Sequence, residues 1–133
     1  MKILLVEDDF ISRTVLQEIV AHLGVCHQAM DGKEAVNAYR RALAENDPYN
    51  LICLDIMMPN MDGQETLLRI RDLEKEHGIG GSDMVKVIMT TALNDPKSIM
   101  TAMVKGSCDG YLVKPIQRGT LLAKLREIGL ISQ

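Results

Sequence analysis

At 133 residues, with 47% hydrophobic and 25% charged side chains and a net charge of −3, the chain has the length of one domain, residues 1–133, and lacks the basic excess of a nucleic-acid binder. The opening MKILLVEDD breaks its short apolar run with acids, which excludes a secretory signal or a membrane span and leads us to expect a cytoplasmic protein. Cys26, Cys53 and Cys108 share no CxxC spacing and read as reduced, buried, small hydrophobes, and His22, His27 and His77 have no zinc-ligand spacing.

In chain order, the first strand is predicted over 2–6 (KILLV). A helix follows, with Ile11, Val15, Ile19 and Leu23 at four-residue intervals and Gly24 as its stop. The tract 25–30 (VCHQAM) is the weakest strand signal. DGKE at 31–34 and DGQE at 62–65 each place an acidic N-cap three residues before a glutamate and open the second and third helices. Between them 51–55 (LICLD) predicts the third strand, and 86–90 (KVIMT) and 110–113 (GYLV) predict the fourth and fifth. Four of these tracts are nearly continuous in hydrophobicity, as in strands covered on both faces of a parallel sheet. The segment 75–84 holds three glycines and reads as a mobile surface excursion. Asp95 and Pro96 cap a fourth predicted helix carrying Ile99, Met100, Met103 and Val104, and a last helix carries Leu121, Leu122, Leu125 and Ile128. Strand and helix alternate five times, which predicts an α/β domain with a parallel sheet, helices on both faces and right-handed crossovers.

The polar residues that end the strands carry the chemistry. Glu7 and Asp8 follow the first strand, Asp55 ends the third, Thr90 and Thr91 end the fourth, and Lys114 follows the fifth. In a parallel sheet these carboxyl ends share one rim, where open α/β sheets place their ligands. Two like charges about 4 Å apart cost roughly 4 kcal/mol at an effective dielectric near 20, so three carboxylates require cations. Lys114 supplies one, and the remaining anionic oxygen set suits a hard divalent ion, Mg2+ or alternatively Mn2+. Asp9 is expected to cap the first helix rather than join this group.

With Glu7-Asp8 after the first strand, Asp55 in LDIMMPNMDG, TTA at 90–92 and GYLVKP at 110–115, the chain resembles the receiver domain of two-component response regulators from Lys2 to about Ile128. The resemblance implies a doubly wound, flavodoxin-like (βα)5 fold with strand order 2-1-3-4-5. With no linker or second domain after the last predicted helix, the expectation is a stand-alone, chemotaxis-regulator-like receiver, the alternative being a domain excised from a larger protein. It implies that Asp55 takes a phosphoryl group from the phosphohistidine of a histidine kinase or phosphotransfer protein. Asp8, Asp55 and the backbone carbonyl of Met57 would hold Mg2+, with Glu7 acting through water. Lys114 would pair with Asp55 and then with the phosphoryl group, Thr91 would be the switch hydroxyl with Thr90 the strand residue before it, and Ala92 would leave room for the phosphate. Tyr111 would reorient as Thr91 closes, remodelling the face made by the fourth predicted helix, the fifth strand and the last helix. Such a protein is a phosphoacceptor switch that assists its own phosphorylation and dephosphorylation, rather than an enzyme acting on other substrates.

The expected output is a downstream protein contact, with neither nucleic acid nor membrane bound directly, through Lys97, Thr101, Lys105 and Tyr111. Met57 and Leu93 are expected to shield the phosphate from water. The alternatives are an unphosphorylated receiver-like scaffold, which the acid pair, Asp55, Thr91 and Lys114 argue against, and a metal-dependent phosphohydrolase, for which the chain offers only the Gly78 to Gly81 loop as a lid. A flavin carrier is disfavoured by the absence of Trp and by the anionic rim.

Overall fold

The computed structural model describes residues 1–92 and 108–132. Five parallel strands, β1 (Lys2–Val6), β2 (Val25–Ala29), β3 (Leu51–Asp55), β4 (Lys86–Thr91) and β5 (Gly110–Val113), form one sheet in the order β2-β1-β3-β4-β5. Among the described residues four α-helices cover it: α1 (Phe10–Val20), α2 (Gly32–Ala44), α3 (Gly63–Glu76) and α4 (Arg118–Glu127). The fourth predicted helix and Leu93, Lys97, Thr101 and Lys105 lie outside the described residues.

Alternation along the strands divides the core in two. Leu4, Val6, Ile52, Leu54, Val87 and Met89 pack with residues of α2 and α3. Ile3, Leu5, Leu51, Cys53, Ile88 and Leu112 face the other way and pack with Leu16 and Ile19 of α1 and Leu121 and Leu125 of α4. Each fully buried Leu or Ile contributes about 1.5–3 kcal/mol. This double burial is why the strands are continuous apolar runs, and β3 is buried at all five of its positions. β2 lies at the sheet edge with Val25, His27 and Gln28 exposed, which accounts for its weak signal.

The helix starts follow their caps. Asp9, Asp31 and Asp62 each accept a backbone N–H three residues on, from Ser12, Glu34 and Glu65, at 2.8 Å. The two capping boxes are completed differently: Glu34 accepts from the N–H of Met30 at 3.1 Å, one residue before the cap, whereas Glu65 turns to Arg69 at 3.5 Å.

Two expectations are revised. The buried side of α1 is Leu16, Ile19 and Val20, while Ile11 is 72% exposed and Val15 also faces outward. Ile19 and Leu23 of the four-residue ladder do pack on the core, but each +4 step drifts by about 40° around the helix, so the ladder's first members, Ile11 and Val15, fall outside the buried side, which an i, i+3, i+4 set follows. Cys26 is half-buried rather than buried, because it sits on the edge strand, although all three cysteines are free. The glycine-rich segment after α3 contains a 3-10 turn, Gly81–Asp83, entered through Gly78 and Gly81 at φ 71° and 60°. These positive values suit glycine.

Candidate functional site

Strand register assembles the site. Val6 pairs with Leu54, Asp55 with Thr90, and Thr91 with Val113, so the residues that end or follow β1, β3, β4 and β5 meet on one rim. Asp55 stands at the end of the buried strand β3 and is itself 3% exposed. Its stiffness is reinforced behind it. The N–H of Ile56 donates to the carbonyl of Thr90 at 2.9 Å, and the N–H of Gly63 to the carbonyl of Ile56 at 2.8 Å. A β-carbon at Gly63 would overlap the Asp55 carbonyl oxygen, so only glycine lets α3 begin this close to the acidic strand end.

One oxygen from each of Glu7, Asp8 and Asp55 lies within 4.8 Å of the others. Glu7 is fully buried and Asp8 exposed. Lys114 extends its ammonium into the group, 2.5 Å from Glu7 Oε1 and 3.3 Å from Asp55 Oδ2. Its backbone N–H donates to the Thr91 carbonyl at 2.7 Å, and a cis peptide bond joins it to Pro115. Glu7 Oε2 accepts from the N–H of Asp9 at 3.2 Å, and Asp55 Oδ1 from the N–H of Met57 at 3.3 Å.

Burial pushes the Glu7 carboxyl above its ordinary value, against the opposing pull of Lys114, and the neighbouring Asp55 pushes the same way. Burial acts to lower the Lys114 ammonium, but Glu7 and Asp55 together outweigh it and hold it above its ordinary value. The ammonium stays protonated, a single cation facing three acidic side chains. The donor set fits Mg2+ in kind, with three hard carboxylate oxygens gathered within 4.8 Å of one another.

The other expected residues sort as follows. Thr90 and Thr91 are both buried, and their strand alternation sends them to opposite faces: Thr90 shares the Ile88 face with Asp55, and Thr91 shares the Met89 face. Met57 is 67% exposed beside Asp55, Ala92 is exposed on the rim, and Tyr111 stands half-open on the outer face of β5. Two participants had no sequence signal as site residues. Arg13 Nη1 donates to the Glu7 carbonyl at 2.9 Å and anchors the acidic turn to α1. Gly63 reads in the sequence only as part of a helix start.

The family model for the response regulator receiver domain matches residues 3–126. The chemotaxis protein CheY of Listeria monocytogenes is 32% identical over 129 residues, covering 96% of this chain and 97% of that protein. A probable histidine kinase 2 of Oryza sativa subsp. indica is 33% identical over 128 residues, covering 89% of this chain and 12% of the kinase, so the chain spans only a small part of that relative. Among solved structures, the receiver domain of the Arabidopsis thaliana histidine kinase CKI1 complexed with Mg2+ and BeF3− superposes with a TM-score of 0.81 at 28% identity, covering 96% of this chain and 88% of that one. The receiver domain of Saccharomyces cerevisiae Ssk1, solved with the phosphotransfer protein Ypd1, also gives 0.81, at 30% identity, covering 97% of this chain and 88% of that one. No helix among the described residues is long and apolar enough to cross a membrane. With its strand order, its rim of acids and a family match across nearly all of its length, this chain belongs to the receiver domains of two-component response regulators.

Proposed function

We propose that the chain is a phosphorylation-activated switch in which Asp55 accepts a phosphoryl group from a phosphohistidine of a kinase or phosphotransfer protein. The observation that carries this reading is the Asp55 carboxylate, fixed at the end of a fully buried strand with Glu7 and Asp8 oxygens within 4.8 Å and the Lys114 ammonium 3.3 Å away. An Asp55 oxygen forms the new P–O bond as the P–N bond breaks, and the imidazole leaves with the bonding pair and takes up a proton. Positioning and charge neutralisation are most of what phosphoryl transfer requires. Mg2+, when bound by Asp8, Asp55 and the Met57 carbonyl with Glu7 acting through water, supplies neutralisation of the phosphoryl oxygens. Lys114 then donates to one phosphoryl oxygen and Thr91 to another. The complex of the plant relative with Mg2+ and BeF3− supports the ion, and that of the yeast relative with Ypd1 supports the class of donor.

A mostly apolar groove of about 200 Å³ runs from Glu7 and Lys114 past Ile11, Val15 and Ile116, and gives a donor protein a hydrophobic seat beside the acceptor. The exposed side of α1, set aside from the core, is accounted for by that role. The transferred group adds about −1.5 to −2 charges and three acceptor oxygens, which favours the state in which Thr91 closes and Tyr111 reorients toward a downstream protein target. Intact mass after incubation with phosphoramidate and Mg2+ tests the reading. The parent should gain one phosphoryl group and Asp55→Asn none, whereas uptake by both, or by neither, overturns it.

A further inference from the structure

Lys114 follows β5, yet its ammonium reaches Asp55 on β3 and Glu7 after β1, so its side chain must cross the end of β4. At a strand spacing of about 4.8 Å, β5 and β3 are separated by nearly 10 Å. On that face the residue of β4 in register with Asp55 is Thr90. Thr90 is 1% exposed, and its Oγ1 is buried with no hydrogen-bond partner among the described residues. Most receiver chemistry assigned above leaves this hydroxyl idle. An unpaired buried hydroxyl is costly, and it lies where a Lys114 ammonium drawn away from Glu7 would pass. Such withdrawal follows from the proposed chemistry: when Glu7 turns to a cation, the ammonium loses its 2.5 Å partner and one of its three donors is left open.

Resting on the phosphoacceptor reading, we propose that Thr90 is a positioning residue whose hydroxyl oxygen accepts from the Lys114 ammonium in the loaded site and steers that ammonium onto the phosphoryl group. The hydroxyl is unsatisfied in the free protein because the same ammonium is held by Glu7. Thr90 touches neither phosphate nor metal, and its effect runs through Lys114.

The test compares the full chain with Thr90→Val, which keeps the shape and removes the hydroxyl, and with Thr90→Ser, which restores it. Phosphorylation by phosphoramidate at saturating Mg2+ is followed by intact mass, alongside urea unfolding without metal. We expect Thr90→Val to be at least as stable as the parent without metal and to have its maximal phosphorylation rate lowered about tenfold, the scale of one charge-assisted hydrogen bond. Half-saturation by donor should stay unchanged, and Thr90→Ser should recover most of the rate. Adding Thr90→Val to Lys114→Met should slow the reaction no further. A Thr90→Val protein that reacts at the parental rate, a Ser variant as slow as the Val variant, or an undiminished Val effect without Lys114 would each overturn the inference while leaving the phosphoacceptor reading intact. A parent that takes up no phosphoryl group would overturn both.

Discussion

Glu7 and Glu74 are withdrawn from solvent to the same degree, 0% and 1% exposed, at opposite ends of the sheet. Glu74, beside the entry to β4, is surrounded by donors. It accepts from the Tyr39 hydroxyl at 2.9 Å, the Val85 N–H at 2.7 Å and Arg71 Nη1 at 2.7 Å. Arg71 also donates to the Val85 carbonyl at 2.8 Å and pairs with Asp109 at 3.4 Å, while Asp109 accepts from the Val87 N–H at 2.8 Å. Lys86 lies 3.8 Å from Asp109, so two acids meet two bases and α2, α3, β4 and the approach to β5 are tied together. Burial and the adjoining Glu74 push the Tyr39 phenol upward, so it remains a donor. Among the described residues Glu7 has one N–H and one ammonium that it shares with Asp55, in a rim where three acidic side chains face Lys114. A buried carboxylate with a filled donor shell serves the fold, and one with a short shell attracts further cations.

The contrast is easiest to break at Arg71. Arg71→Met strands the Glu74 charge and should cost about 3–5 kcal/mol in urea unfolding, with no recovery on adding Mg2+. Recovery by Mg2+ would show that both ends respond to cations. Tyr39→Phe leaves Glu74 with two of its three donors and should cost about 1–2 kcal/mol in the same measurement, because the buried acceptor loses one bond without losing its counter-ion. At the other end the sign reverses. Asp8→Asn relieves repulsion and should raise the stability of the metal-free protein by about 0.5–1 kcal/mol, while removing most of the rise in melting temperature that Mg2+ gives the parent. A loss of stability without metal would place Asp8 with Glu74 as a structural group.

The smallest expected effect is a pH slope. The folded Glu7 pKa lies above the ordinary value of 4.5, so its protonated form is favoured by folding. Its contribution is fully present below 4.5 and is lost as pH rises through the folded value. Urea midpoints without metal should therefore decline over that interval, and Mg2+, which requires the ionised carboxylate, should flatten or reverse the trend. An unchanged slope with Mg2+ would separate Glu7 from the ion.

Much of this was legible in the sequence because the informative residues are fixed by local chemistry. The runs 2–6 and 51–55 coincide with β1 and β3, since strands buried on both faces admit little but apolar side chains, and 110–113 coincides with β5 although its Tyr111 and Val113 are exposed. The grouping of Glu7, Asp8, Asp55 and Lys114 followed from the rule that parallel strands deliver their ends to one rim. What stayed hidden depends on the third dimension. Nothing local marks Arg71, Glu74 and Asp109 as one network, because 38 residues separate Arg71 from Asp109. Nor does spacing reveal which of two adjacent threonines lies on the Asp55 face, since that is decided by register with β3. The buried side of α1 was legible only in part, at Ile19, for the same reason: an amphipathic pattern with two usable stripes is resolved only by the sheet it meets.

Cys53 sits two residues before Asp55, fully enclosed, with burial pushing its thiol up to about 12. A sulfhydryl so placed is inert toward alkylating reagents until the sheet parts. Its labelling rate is thus a clock for global opening, wired into the same strand as Asp55 and free of any introduced probe. Slower labelling with Mg2+, and slower still after phosphoryl uptake, would measure how tightly each ligand fastens the molecule shut.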